Sequence, residues 1–160
     1  PHVSEAIKLI NDSDYLAVIV SNQPVIARGE ATRKQVDECF EKIETLLGKD
    51  GAFIDGVYYC PHHPHSGFKG EVKRLKKVCD CRKPATGLLK KAEKAFNLDL
   101  SACYMIGDSR VDEQTAINAG IPCVKVATGA ESAEEPAISG KTRVAADLAE
   151  AVKAVLGDNR

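Results

Sequence analysis

Apolar and polar positions along this chain follow two rhythms, one helical and one of short continuous runs. Val3, Ala6, Ile7, Leu9 and Ile10 recur at helical spacing between His2 and Asp12, which predicts an opening amphipathic helix. Tyr15 to Val20 is an unbroken, β-branched apolar run, the mark of a strand buried on both faces. Ser21-Asn22-Gln23-Pro24 then reads as a polar loop at its C-terminal end. Thr32 to Leu47 predicts a second helix with Val36, Cys39, Phe40, Ile43, Leu46 and Leu47 on one stripe, ended by Gly48 and Gly51. Phe53 to Tyr59 predicts a strand that delivers Cys60 to a long polar stretch. Beyond Pro84, Gly87 to Phe96 is helical, with Leu88, Leu89, Ala92 and Phe96 facing inward. Cys103 to Ile106 reads as a short buried strand, and Asp112 to Asn118 as a short helix closed by Gly120. Pro122 to Val126 is the next strand, the Ala/Glu-rich Gly129 to Pro136 a loop, and Asp147 to Leu156 the last helix. Strand alternating with helix implies an α/β fold with a parallel sheet covered on both faces.

Length and charge narrow the function classes. A chain of 160 residues is read as one domain with a real core. Net charge is −1 with both signs interspersed, so neither a nucleic-acid tract nor a disordered acidic tail is expected. The run Tyr15 to Val20 is too short to span a bilayer, and the first residues do not form a signal peptide. The expectation is a soluble cytoplasmic protein with no membrane or nucleic-acid partner, a monomer or part of a longer multidomain chain. Trp is absent and aromatics make up 5%, so the core must be aliphatic.

Three of the six cysteines and three of the four histidines fall between Cys60 and Cys81. Cys60/His62 and Cys79/Cys81 form two short pairs separated by 16 residues. Three thiolates and one imidazole suit tetrahedral Zn²⁺, and four protein ligands leave no open position, so such a site would be structural. His63 or His65 could replace His62. A disulfide from Cys60 to Cys79 or Cys81, or free buried cysteines beside surface histidines, are the competing readings. A metal would close a loop that has almost no apolar residues of its own.

In parallel sheets, ligands bind beyond the carboxyl ends of the strands. Ser21 and Asn22 follow one strand, Gly107 and Asp108 another, and Lys83 ends the metal stretch that leaves a third. A hydroxyl, a cation and a carboxylate meeting there suit a phosphate bound beside Mg²⁺. Each also has a plainer reading: Ser-Asn as a turn, Asp108 as a helix cap, Lys83 as a solvated charge.

Together, Ser21-Asn22-Gln23-Pro24-Val25-Ile26-Ala27-Arg28-Gly29, Tyr58-Tyr59-Cys60-Pro61-His62-His63-Pro64, Cys79-Asp80-Cys81-Arg82-Lys83-Pro84 and Gly107-Asp108 resemble the D-glycero-D-manno-heptose 1,7-bisphosphate 7-phosphatases. That family belongs to the haloacid dehalogenase superfamily, alongside the histidinol phosphatases. The resemblance implies a Rossmann-like fold without a large cap, with the zinc loop partly in its place. It implies a Mg²⁺-dependent phosphomonoester hydrolase acting on a heptose bisphosphate through a phospho-aspartyl intermediate, on the route to surface polysaccharide. By position, Ser21 and Lys83 match the family's catalytic phosphate-handling groups, and Asp108 matches a Mg²⁺ ligand. Asn22, Gln23, Arg28 and Arg82 match substrate-binding positions, and Cys60, His62, Cys79 and Cys81 match zinc ligands. Pro24 and Val25 stand where the family commonly has Ser-Gly, and Ser109 where some relatives have lysine.

The family's first motif, Asp-x-Asp-Gly-Thr at the end of a central first strand, is not found. It carries the nucleophile and the general acid/base, without which covalent catalysis has no attacking group. The expectation is that the numbering begins inside a longer protein, with about 30 residues before Pro1, or another chain, supplying that strand. The chain as written is then expected to be inactive alone. Two other functions fit the same residues: a histidinol phosphatase, and an inactive zinc-stabilised module that binds a phosphorylated ligand.

Overall fold

The computed structural model describes residues 2–129, 137–140 and 142–157. Residues 130–136, nearly all of the loop expected at Gly129 to Pro136, lie outside the described residues. Among the described residues, five parallel strands form two ladders. β1 (Val18–Asn22) pairs with β2 (Gly56–Cys60), from Val18 opposite Gly56 to Asn22 opposite Cys60. β3 (Met105–Gly107), β4 (Cys123–Val126) and β5 (Arg143–Ala145) form the other, with β4 in the middle. Among the described residues no hydrogen-bonded ladder joins β1 to β3. They nonetheless face each other across a seam. Tyr15 meets Tyr104 edge to face at 6.1 Å ahead of the two strands. Val20 packs on the cluster of Met105, Ala116, Ile121 and Cys123.

β1 begins later than the apolar run suggests. The Ser13 hydroxyl donates to the Ile10 carbonyl and accepts from the Tyr15 N–H, holding Ser13 to Tyr15 in a turn. Ladder pairing therefore extends through Ser21 and Asn22, which are the last rungs of the strand rather than loop residues.

Six helices surround the ladders. α1 (Val3–Asn11) buries Ala6 and Ile7 and packs on α6 (Leu148–Gly157), which buries Ala151, Val152 and Val155. The short α2 (Val25–Arg28) leads into α3 (Arg33–Gly48), whose Thr32 and Gln35 form a reciprocal capping box. Only Val36 and Leu47 of the expected α3 stripe are buried; Cys39, Ile43 and Leu46 are exposed. Phe40 is partly covered by stacking on Tyr59. The helix flanks a two-stranded ladder, which offers too little surface to cover a full stripe. α4 (Gly87–Phe96) matches its expected span and buries Leu88 and Ala92, with the Phe96 ring against Gly56.

α5 (Arg110–Ala119) is capped by Ser109 and Asp112. Its Glu113 is fully buried and accepts from the Ser139 N–H at 2.9 Å and the Thr142 hydroxyl at 2.6 Å, pinning the approach to β5. Burial alone would raise its pKa; those hydrogen bonds, one from Ile138 and the nearby Lys125 outweigh it and hold the carboxyl below its usual range.

Leu88 packs with Cys60 and Cys81 at 1% exposure. Leu88→Ala is expected to cost about 2–5 kcal/mol, read as a lower urea midpoint at unchanged slope.

Candidate functional site

The last residue of β2 is Cys60, and the chain continues through Pro61 to His62 before a long excursion returns it at Cys79-Asp80-Cys81. Cys60, His62, Cys79 and Cys81 point their donor atoms at one centre, all within 4.8 Å of one another. Sulfur separations are 3.5 Å for Cys60–Cys79, 3.2 Å for Cys60–Cys81 and 3.4 Å for Cys79–Cys81. His62 Nδ1 lies 3.5 Å from Cys60 Sγ and 3.4 Å from Cys81 Sγ. A tetrahedron built on Zn–S and Zn–N bonds has edges of about 3.5–3.8 Å, so the donor set fits with the sulfurs slightly drawn in. These residues could hold a metal ion.

The disulfide reading of this stretch does not match the geometry. All six cysteines are free, and the sulfurs are well beyond the ~2.05 Å of a disulfide. His63 turns instead to the His65 carbonyl and the Lys76 ammonium, with its ring edge on Phe68. Burial pushes the Cys60 and Cys81 thiols up, so their thiolates need a positive charge beside them. Burial, aided by Lys77, lowers His62, which keeps its imidazole neutral and its lone pair available.

The excursion folds back on α2. The Val72 N–H donates to the Ala27 carbonyl at 2.9 Å, and Gly29, at φ 76°, lies so close to the Gly70 carbonyl that a Cβ would sit 2.0 Å from its oxygen. Phe68 is contacted by Arg28 at 5.6 Å and Lys76 at 4.6 Å from its centroid. Arg28, expected at the substrate, is engaged here by Phe68 and by Glu30 at 2.8 Å. The loop thus holds its shape with one aromatic, cations and backbone bonds in place of an apolar core.

A second constellation lies at the C-terminal end of the seam. Ser21 Oγ accepts from Gln23 Nε2 at 3.0 Å, which leaves the hydroxyl proton free to point outward. Asn22 is bound to the Lys83 backbone at both ends of its carboxamide. The Lys83 ammonium donates to the Val20 carbonyl at 3.0 Å and pairs with Asp112. Asp112, 6% exposed, also accepts from the Ser109 hydroxyl at 2.8 Å. Asp108 occupies the turn between β3 and α5. A Cβ on Gly129 would lie 1.8 Å from its Oδ2, and one on Gly107 would lie 2.4 Å from the Asp112 Cβ. Bare backbone at both places is what lets the two acids sit there. Arg82 Nη1 donates to the His62 carbonyl at 3.1 Å, tying the residue beside Lys83 to the sulfur cluster.

Asp112 therefore joins Lys83 to the turn after β3, and the Lys83 ammonium also reaches the carbonyl of Val20, the residue before Ser21. Sequence reasoning passed over Asp112, although Gly107-Asp108-x-x-x-Asp112 sets two acids one helical turn apart. Asp12-Ser13-Asp14 does have Asp-x-Asp spacing, but it lies in the turn after α1, before β1, with Asp12 paired to Lys8 at 3.6 Å. It thus sits at the wrong end of the strand to act as the first motif.

Comparison with known proteins agrees with this geometry. A family model described as HAD-hydrolase-like matches residues 80–151. The D-glycero-β-D-manno-heptose-1,7-bisphosphate 7-phosphatase of Escherichia coli K12 is 36% identical over 158 residues, covering 94% of this chain and 78% of that protein. The enzyme of the same name from Yersinia pestis is 38% identical, covering 95% of this chain and 80% of the relative. Among solved structures, the D,D-heptose 1,7-bisphosphate phosphatase from B. bronchiseptica, complexed with magnesium and phosphate, superposes with a TM-score of 0.83. It is 28% identical, and the match covers 99% of this chain and 83% of that one. With its parallel strands, its Cys/His cluster and these relatives, the chain belongs to the D-glycero-β-D-manno-heptose-1,7-bisphosphate 7-phosphatase family of HAD-like hydrolases.

Proposed function

We propose that this chain is the body of a magnesium-dependent sugar phosphatase that hydrolyses the 7-phosphate of a heptose 1,7-bisphosphate. What supports the reading is the Lys83 ammonium, held between the Val20 carbonyl next to Ser21 and the Asp112 carboxylate four residues after Asp108, in a chain whose relatives are named for that activity. Ser21 donates its proton to a phosphoryl oxygen. Lys83, held against Asp112, offsets the charge that builds on the phosphoryl group as the bond to the sugar oxygen breaks. Asp108, cradled on Gly129, is the hard oxygen ligand this chain offers to Mg²⁺, which would screen the phosphate and orient it for attack. Arg82 reaches the sugar-phosphate substrate from the rim.

The attacking carboxylate comes from a further strand laid between β1 and β3, ahead of Pro1 or on another chain. Support for it lies in the seam, where each of these strands has an edge that the other does not pair. Such a strand would lie about 4.8 Å from each neighbour and would pair with both edges, taking over the Val20 carbonyl and releasing the Lys83 ammonium toward the phosphoryl group. Its aspartate would form the phospho-aspartyl intermediate that water then hydrolyses. Residues 1–160 would be a single phosphatase domain completed by that strand.

Zn²⁺ is the metal we assign to Cys60, His62, Cys79 and Cys81. With four protein donors it would have no open position, so its part would be structural, fixing the end of β2 to the segment that carries Arg82 and Lys83. The purified protein should contain one equivalent of zinc by elemental analysis. Cys81→Ser should lose it and lower the melting temperature by about 10 °C, equivalent to roughly 3–5 kcal/mol for a domain of this size. A metal-free protein of unchanged stability would contradict the assignment.

Phosphate release by the full-length gene product tests the activity. It should hydrolyse D,D-heptose 1,7-bisphosphate in preference to histidinol phosphate. Lys83→Ala should lower kcat/KM by about 10²–10³ at an unchanged zinc content. Activity on neither substrate, with phosphate binding retained, would instead mark a binding module.

A further inference from the structure

Lys83 belongs to neither a helix nor a strand, yet it must aim an ammonium at a phosphoryl group. Residues 80–86 form bends and turns after the sulfur cluster, so no ladder fixes this backbone. The Asn22 side chain takes the place of one. Its Nδ2 donates to the Lys83 carbonyl at 3.1 Å and its Oδ1 accepts from the Lys83 N–H at 2.9 Å, across 61 residues of sequence. This is the two-bond pairing that a neighbouring strand would otherwise provide. Asn22 is itself the last rung of β1, opposite the cluster residue Cys60, so the carboxamide starts from a fixed backbone. The Lys83 ammonium then returns to the Val20 carbonyl, two residues earlier on the same strand. One strand end thus grips the Lys83 backbone at both its N–H and its carbonyl.

We propose that Asn22 is a positioning residue for Lys83: its carboxamide sets the lysine backbone so that the ammonium reaches the phosphoryl site. The inference rests on the reading of Lys83 as a phosphate-handling group, and it gives Asn22 a part distinct from the substrate-binding one that the resemblance implies. Without the clamp, two half-buried backbone groups lose their partners, and the ammonium is free to drift by an ångström or more. Misplacement on that scale costs catalysis up to about 10²-fold.

Kinetics on the full-length enzyme separate this role from its rivals. Asn22→Ala should lower kcat by about 10–10²-fold with KM changed less than about threefold. In a Lys83→Ala background the same substitution should have almost no further effect, within about twofold, because the group it acts through is gone. A substrate contact or a general structural role would instead multiply the two losses, and that result would overturn the proposal. A second readout needs no turnover. Acylation of Lys83 by acetic anhydride, followed by mass spectrometry, should be slow in the wild type and at least about fivefold faster in Asn22→Ala. Asn22→Asp, which keeps the acceptor for the Lys83 N–H but loses the donor to its carbonyl, should fall between them. It also serves should the alanine variant fail to fold. An unchanged labelling rate in a folded variant would refute the clamp. Failure of wild-type turnover with the labelling difference intact would refute the activity and leave the clamp standing.

Discussion

The closing of three sulfurs and one imidazole on a single centre is the constraint from which the rest of this molecule follows. Cys60 ends a ladder strand, and Cys81 stands two residues from Lys83. Joining them sets where the functional segment begins. The excursion between them has little apolar surface, so ordinary burial cannot fix it. It is gathered at its base by the Cys60, His62, Cys79 and Cys81 cluster and held at its tip by Arg28, Lys76 and backbone bonds over Phe68 and Gly70. Arg82 ties the two ends of the excursion together at that base through the His62 carbonyl.

From that base the seam acquires its chemistry. β1 contributes a hydroxyl at Ser21 and a clamp at Asn22; the turn after β3 contributes Asp108, and α5 contributes Asp112. Lys83 is shared between the two halves, bonded to Val20 on one side and to Asp112 on the other. A group that bridges two ladders reports on their separation, so anything that shifts one ladder against the other also moves the Lys83 ammonium. The close fit of Gly107 and Gly129 under the two acids has the same consequence: a side chain there would displace a carboxylate before it disturbed the core.

Much of this was legible in the sequence, and what escaped has physical causes. α4 was readable to the residue because Leu88, Leu89, Ala92 and Phe96 repeat with helical spacing between clear stops. The sulfur cluster was readable because cysteine and histidine at such density have few other uses. Periodicity states which face of α3 could be buried, but not whether a neighbour covers it, so Ile43 and Leu46 were overestimated. The run at Tyr15 hid the true end of β1 because hydrophobicity does not mark a ladder that continues through serine and asparagine. β5 escaped because only Ala145 of its three residues is buried. The Asn22 clamp and the buried Glu113 join segments 61 and 26–29 residues apart, and no local pattern encodes such partners.

Extended X-ray absorption at the zinc edge of the purified protein tests the central claim most directly. The account predicts a four-coordinate ion with three sulfur scatterers at about 2.3 Å and one nitrogen at about 2.0–2.1 Å. A shell with fewer sulfurs, an oxygen ligand from water, or two nitrogens would contradict it, because Cys60, His62, Cys79 and Cys81 would then not close on one ion.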